Sequence, residues 1–122
     1  MKVFLLAGAI NAFLAVALGA FGAHGLEGKI SDKYLEVWKT GVQYQMFHAA
    51  GLLIIGLLMG KIQGSLLGTA GWLMLAGIIL FSGSLYVLSV TGIKVLGAIT
   101  PLGGISFLAA WVLIMVAVYK HL

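Results

Sequence analysis

The sequence predicts an all-α integral membrane protein: one domain over residues 1-122, four transmembrane helices in an up-down bundle, and an amphipathic segment between helices 1 and 2. The first observation behind this is composition. With 62% hydrophobic residues, 8% charged residues and a mean hydropathy of +1.17, the chain carries more apolar surface than one small water-soluble globule can bury. The second is segmentation. Four apolar runs, roughly Val3 to Ala23, Val42 to Gly60, Ser65 to Val90 and Val95 to Tyr119, each approach or exceed the ~20 residues that cross a bilayer as helix. The third is the brevity of "GKIQG" and "SVTGIK", which forces neighbouring spans to run antiparallel.

The first run follows Lys2 and ends in the small residues of "GAFGAHG". It is too long for the apolar region of a signal peptide, usually about 7 to 15 residues, and is expected to remain as a span. Asn11, Ala15, Gly19 and Ala23 recur at four-residue spacing, placing a polar group on a stripe of small residues suited to helix packing. His24 closes the span, where a histidine gains from the helix dipole, with Gly25 as the expected left-handed cap.

The connecting stretch "LEGKISDKYLEVWKTG" holds all three acidic residues, Glu27, Asp32 and Glu36. Ser31 or Asp32 is placed to cap a helix start. Tyr34, Trp38 and Val42 then share one face and Asp32, Glu36, Lys39 and Gln43 another, the pattern of an interfacial amphipathic helix. The competing expectation is that these are the exposed first turns of the second span, with Trp38 an aromatic-belt anchor. A mixture of the two is expected, with a bend at Gly41.

In the second span, Tyr44, Gln45 and His48 share an arc with Gly41, Gly51 and Leu52, while Gln43 points nearly the opposite way. Polar and small residues on one face are expected to meet protein, since hydrogen-bonding groups in hydrocarbon need partners. In the third span Gly64, Gly68, Gly71, Leu75, Ser82, Tyr86 and Ser89 fall within about 60° of arc on a regular helix. Gly64 and Gly68 form a small-xxx-small pair, and Ser82 and Tyr86 set hydroxyls one turn apart. The fourth span carries Gly97, Thr100, Gly104 and Trp111 on one side. At "TPLGG" a kink or helix start is expected, with Thr100 as cap and Pro101 at the first helical position. Asn11, Gly19, Gly68, Gly71, Thr100, Pro101 and Gly104 are the expected packing positions.

All seven positive charges are lysines, and they lie between the runs or at the chain ends. This is loop decoration and excludes a nucleic-acid surface. Lys29, Lys33, Lys39 and Lys94 lie on one side against Lys2, Lys61 and Lys120 on the other, which places the first and third loops in the cytoplasm. Cysteine is absent, which removes disulfides and thiolate metal sites.

The stretches "GAFGAHGL" at 19 to 26, "YQMFHAAGLL" at 44 to 53, "LFSGSLYVL" at 80 to 88 and "GAITPLGG" at 97 to 104 together resemble the YgdD/YwdK-like family of small membrane proteins, known as domain of unknown function 423. The resemblance covers essentially the whole chain. It implies a multi-pass protein of the bacterial cytoplasmic (inner) membrane, and it brings no reaction, substrate or cofactor. The family's signature residues map onto His24, Tyr44, Gln45, His48, Ser82, Ser84, Tyr86, Thr100, Pro101 and Gly104.

As chemistry, His24, Tyr44, Gln45, His48, Ser82, Ser84 and Tyr86 form the candidate intramembrane polar site. An ionisable side chain inside a span, such as His48, is a functional-site hypothesis by default. The preferred reading is a neutral imidazole exchanging hydrogen bonds with Tyr44, Gln45 or another helix. His24 and His48, if brought together, would be the sole pair for a metal or proton. With no carboxylate in the spans and no HxxxH spacing, no metal or cofactor is expected. Proton-coupled antiport needs an intramembrane acid, and the first span offers only Asn11. No nucleophile–base–orienter trio and no phosphate loop is present, so an enzyme is not expected.

Trp72 and Trp111 read as packing or belt residues. The leading expectation is a non-enzymatic homo-oligomer that organises the membrane lipids or a membrane protein partner through its polar stripes. The alternative is a lipid- or small-solute-binding or conducting protein whose polar stripe lines a cavity.

Overall fold

The computed structural model describes residues 1–122, and they form four long helices: α1 (Lys2–Leu26), α2 (Asp32–Leu58), α3 (Leu66–Thr91) and α4 (Lys94–His121). All four are long and apolar enough to cross a membrane. The loops between them are short, and each contains a glycine with positive φ: Gly28, Gly64 and Gly92. Gly92 adopts φ +70° and donates its amide to the Leu88 carbonyl at 2.8 Å. It ends α3 in a left-handed cap that a side chain would disfavour.

Helix α2 begins where the sequence placed a cap: the Ser31 hydroxyl accepts the Tyr34 amide at 3.2 Å. From there the helix runs unbroken to Leu58. The amphipathic segment is therefore the first turns of α2, and Gly41 makes no break. Trp38 is not a belt anchor either, because its ring is buried and its indole N–H donates to the Leu18 carbonyl of α1 at 2.9 Å. Two further expectations need correction at the loops. Gly25 lies within the last α-helical turn of α1, so the left-handed position falls to Gly28. Gly64 precedes α3 with φ +116°, and Gly68 faces open space, so the Gly64–Gly68 pair joins no helices.

Two helices contain a π-helical turn, Leu18–Gly22 in α1 and Ile78–Ser82 in α3. Such a turn inserts one extra residue into the ladder and advances every later side chain by about 100°. The stripe expected on α3 holds at Gly71, Ser82 and Ser89, which are buried, and fails at Gly64 and Gly68, which lie before the turn and meet nothing. The buried set is Leu67, Ala70, Gly71, Met74 and Gly77 before the turn, Ile78 and Ser82 at its two ends, and Ser84, Leu85 and Ser89 after it. Helix α4 opens with a 3-10 turn, Lys94–Ala98, and becomes α-helical at Thr100 with Pro101 in its first turn. Thr100 makes no capping bond to the α4 amides.

Close contacts run α1 to α2, α2 to α3 and α3 to α4, and glycines mark where the backbones meet. A Cβ at Gly8 would lie 2.9 Å from the Leu53 side chain, and one at Gly56 would lie 2.7 Å from Leu5. Because one partner's number rises as the other's falls, α1 and α2 are antiparallel. Gly41 against Tyr86 and Gly51 against Met74 give the same sense for α2 and α3. Gly77 against Phe107 and Gly103 against Phe81 give it for α3 and α4. Phe4 of α1 fills the space left by Gly71 of α3.

Of the expected packing positions, Asn11, Gly19 and Gly71 lie in helix contacts. Gly68 does not, Pro101 is exposed, and Gly104 has only the Phe81 ring at 4.0 Å. The close approach belongs to its neighbour Gly103. The apolar core, including Leu52, Ile55, Leu67, Met74, Phe107 and Ala110, lies toward the α2–α3 loop. The polar residues are gathered in the other half.

Candidate functional site: an intramembrane polar network

The buried polar side chains of the predicted site resolve into four hydrogen-bonded groups. In the first, the Asn11 carboxamide donates to Ala7 O one turn back at 2.9 Å, and the Gln45 Nε2 donates to Asn11 Oδ1 at 3.0 Å. The Tyr86 hydroxyl then donates to Gln45 Oε1 at 2.7 Å. This chain links α1, α2 and α3 through one glutamine. Tyr86 reaches it because Gly41 has no side chain: a Cβ there would sit 2.9 Å from the phenol ring. Trp38 closes the other side of Tyr86, with ring centroids 4.7 Å apart.

The second group is a single bond, Ser82 Oγ to the Gly41 carbonyl at 2.7 Å. It lies at the end of the α3 π-turn, which brings Ser82 round to α2. The third joins α3 to α4: Ser84 and Thr100 hydroxyl oxygens lie 2.6 Å apart. Ser84 Oγ is also 2.9 Å from Phe81 O. Thr100 Oγ1 in turn lies 3.5 Å from Leu96 O, so each hydroxyl has a carbonyl acceptor on its own helix and either can donate to the other.

The fourth group centres on His48. Its Nδ1 is 2.7 Å from Tyr44 O, and its Nε2 receives the Trp111 indole N–H at 3.1 Å. A carbonyl cannot donate and an indole N–H cannot accept, so the geometry fixes a neutral ring with the proton on Nδ1. Phe107 stacks on the imidazole at 3.5 Å between centroids. Both ring nitrogens are occupied within the protein, leaving neither available to a metal.

Of the predicted site residues, Gln45, His48, Ser82, Ser84 and Tyr86 thus meet partners on other helices, but they do not form one constellation. Gln45 and Tyr86 belong to the α1 side, His48 to the α4 side. Tyr44 is exposed and packs at a tilt against the Phe81 ring, 4.4 Å between centroids. His24 lies apart: its side chain is exposed at the end of α1, 3.8 Å from Glu27, and it does not approach His48. No group of three metal-ligating side chains is present. A lipid-facing cleft of about 440 Å³ passes His48 between α2, α3 and α4, and another of about 340 Å³ passes Asn11, Gln45 and Tyr86. Every buried side-chain nitrogen and oxygen has a hydrogen-bond partner.

Sequence reasoning did not assign three of the bonding partners. Trp38 and Trp111 donate indole protons across helices, and Ser106 donates to Leu73 O at 2.6 Å. The available signal was that each lies on the same face as a glycine or alanine of its own helix.

A family model described as "Protein of unknown function (DUF423)" matches residues 18–104. The chain is 66% identical to the UPF0382 membrane protein YwdK of Bacillus subtilis, over 100% of both chains. It is 55% identical to a UPF0382 membrane protein of Staphylococcus aureus and 52% identical to one of Staphylococcus epidermidis, each over 98% of both chains. No solved structure matches. With four apolar helices that can each span a membrane and full-length similarity to named membrane proteins, the chain belongs to the DUF423 (UPF0382) family of membrane proteins.

Proposed function

We propose that this protein is a non-enzymatic, homo-oligomeric component of the bacterial cytoplasmic membrane that organises the bilayer or a membrane protein partner. The observation that carries this reading is that the polar groups buried between the helices are spent on one another or on backbone carbonyls: no buried side-chain polar atom lacks a partner. A reaction centre or a conducting path would leave donors or acceptors turned toward substrate or water. Here Gln45, Tyr86, Ser82, Ser84 and His48 instead fasten α1 to α2, α2 to α3, α3 to α4 and α2 to α4. What remains for function is the outer surface, which is apolar and large; only 22% of the apolar stretch of α1 and 28% of that of α4 is buried.

The proposal is tested by native mass spectrometry of the protein released from lipid nanodiscs. A discrete oligomer without a retained small molecule supports it. A single subunit, or a defined retained species lost in His48→Ala, overturns it. The second outcome would favour a lipid- or solute-binding role, for which the cleft beside His48, Phe81 and Trp111 is the supporting feature.

A further inference from the structure

Helix α2 is the most buried of the four, with half of its apolar stretch enclosed, yet one face of it is left uncovered. Gln43, Phe47, Ala50, Ile54 and Leu57 are all exposed. Their spacing of four, three, four and three residues is a heptad seam, the repeat by which two helices pack side by side with a left-handed crossing of about 20°. Four of the five are apolar and suit either lipid or a helix. Gln43, one turn beyond Lys39 on the same face, is the deepest polar group of this seam.

The Gln43 carboxamide lies about 6 Å further along the axis than Lys39, the last charged residue of α2. It lines a shallow depression with Tyr44, Phe47 and His48. Gln45, two residues on, is held by Asn11 and Tyr86, whereas Gln43 makes no hydrogen bond to the chain. A carboxamide both donates and accepts, so it complements a copy of itself. Two copies inserted in the same sense are related by an axis normal to the membrane. That axis brings a seam residue opposite its own counterpart at equal depth.

We propose that the Gln43–Leu57 face of α2 seats a second copy of this chain, with the paired Gln43 carboxamides fixing its register. The proposal rests on the homo-oligomer reading and gives that oligomer its surface. A single polar residue in an apolar seam sets register and copy number in paired helices, and carboxamides promote helix association in membranes.

The absence of cysteine makes the test direct. Single cysteines are introduced in liposomes at Phe47, Ala50 and Ile54, and as controls at Phe13 of α1 and Ile105 of α4, both lipid-exposed; disulfide-linked dimer is then measured after mild oxidation. The expected result is dimer from the three α2 positions and little from the controls. Gln43→Leu should lower the dimer association constant about threefold to tenfold, and Gln43→Asn should retain more of it. Cross-linking from Phe13→Cys or Ile105→Cys with α2 silent would overturn this surface while leaving the oligomer in place. An unchanged association constant in Gln43→Leu would overturn the register role. A single subunit by native mass spectrometry would remove the oligomer reading and this inference together.

Discussion

Replacing Gln45 by leucine tests whether the polar network is structural. The substitution keeps the volume close to that of glutamine and removes both bonds of its carboxamide, to Asn11 at 3.0 Å and from Tyr86 at 2.7 Å. Interhelical hydrogen bonds in membrane proteins average about 0.6 kcal/mol and reach about 1.7 kcal/mol. Two bonds set a floor of about 1 kcal/mol, and stranding the Asn11 oxygen and the Tyr86 hydroxyl in apolar surroundings raises the loss toward about 3 kcal/mol. Reversible unfolding in bicelles measures this, and Tyr86→Phe, which removes one bond, should lose about 0.6 to 1.7 kcal/mol. The double variant should lose less than the sum of the single losses, since the two changes delete one shared bond. If Gln45→Leu is as stable as the parent protein, the network does not hold the helices together and the proposed role of the polar stripe fails.

Three other outcomes follow from the packing. Gly103→Ala should destabilise by about 1 to 3 kcal/mol, because a Cβ there meets the Phe81 backbone, whereas Gly104→Ala, next in the chain, should change little in the same unfolding assay. Trp111→Phe removes the donor to His48 Nε2; it should lower stability by about 1 kcal/mol and shift the imidazole nitrogen resonance in solid-state NMR, while Trp72→Phe, at an exposed site, should do neither. Trp38→Phe should leave α2 intact and speed amide exchange around Leu18–Gly22, where the indole bonds the Leu18 carbonyl.

Much of this architecture was readable because lipid imposes strict rules on sequence. The four spans, the antiparallel order and the Ser31 cap came from length, loop brevity and side-chain type. The polar face of α2 was readable too, since Gln45 and His48 lie on the arc of Gly41 and Leu52, and all four are buried. What escaped was whatever depends on neighbours that periodicity does not name. Gly68 and Gly71 look alike in sequence, but only Gly71 receives the Phe4 ring. Gly103 and Gly104 are adjacent, and about 100° of rotation decides which one meets Phe81. His24 shares a family motif with the other polar residues and lies outside their network.

The two π-turns have a consequence for how this chain can vary in length. Deleting one residue from Ile78–Ser82 would restore a regular helix and rotate Gly83–Thr91 by about 100°, carrying Ser84 away from Thr100 and Tyr86 away from Gln45. The same loss in Leu18–Gly22 would turn Gly22 away from the Trp38 ring it packs against. Insertions and deletions should therefore be tolerated between Glu27 and Ser31, outside any helix, and rejected in these two five-residue segments even though neither contains a charge or a catalytic group. Their residue count, more than any one side chain, is what descendants of this sequence must preserve.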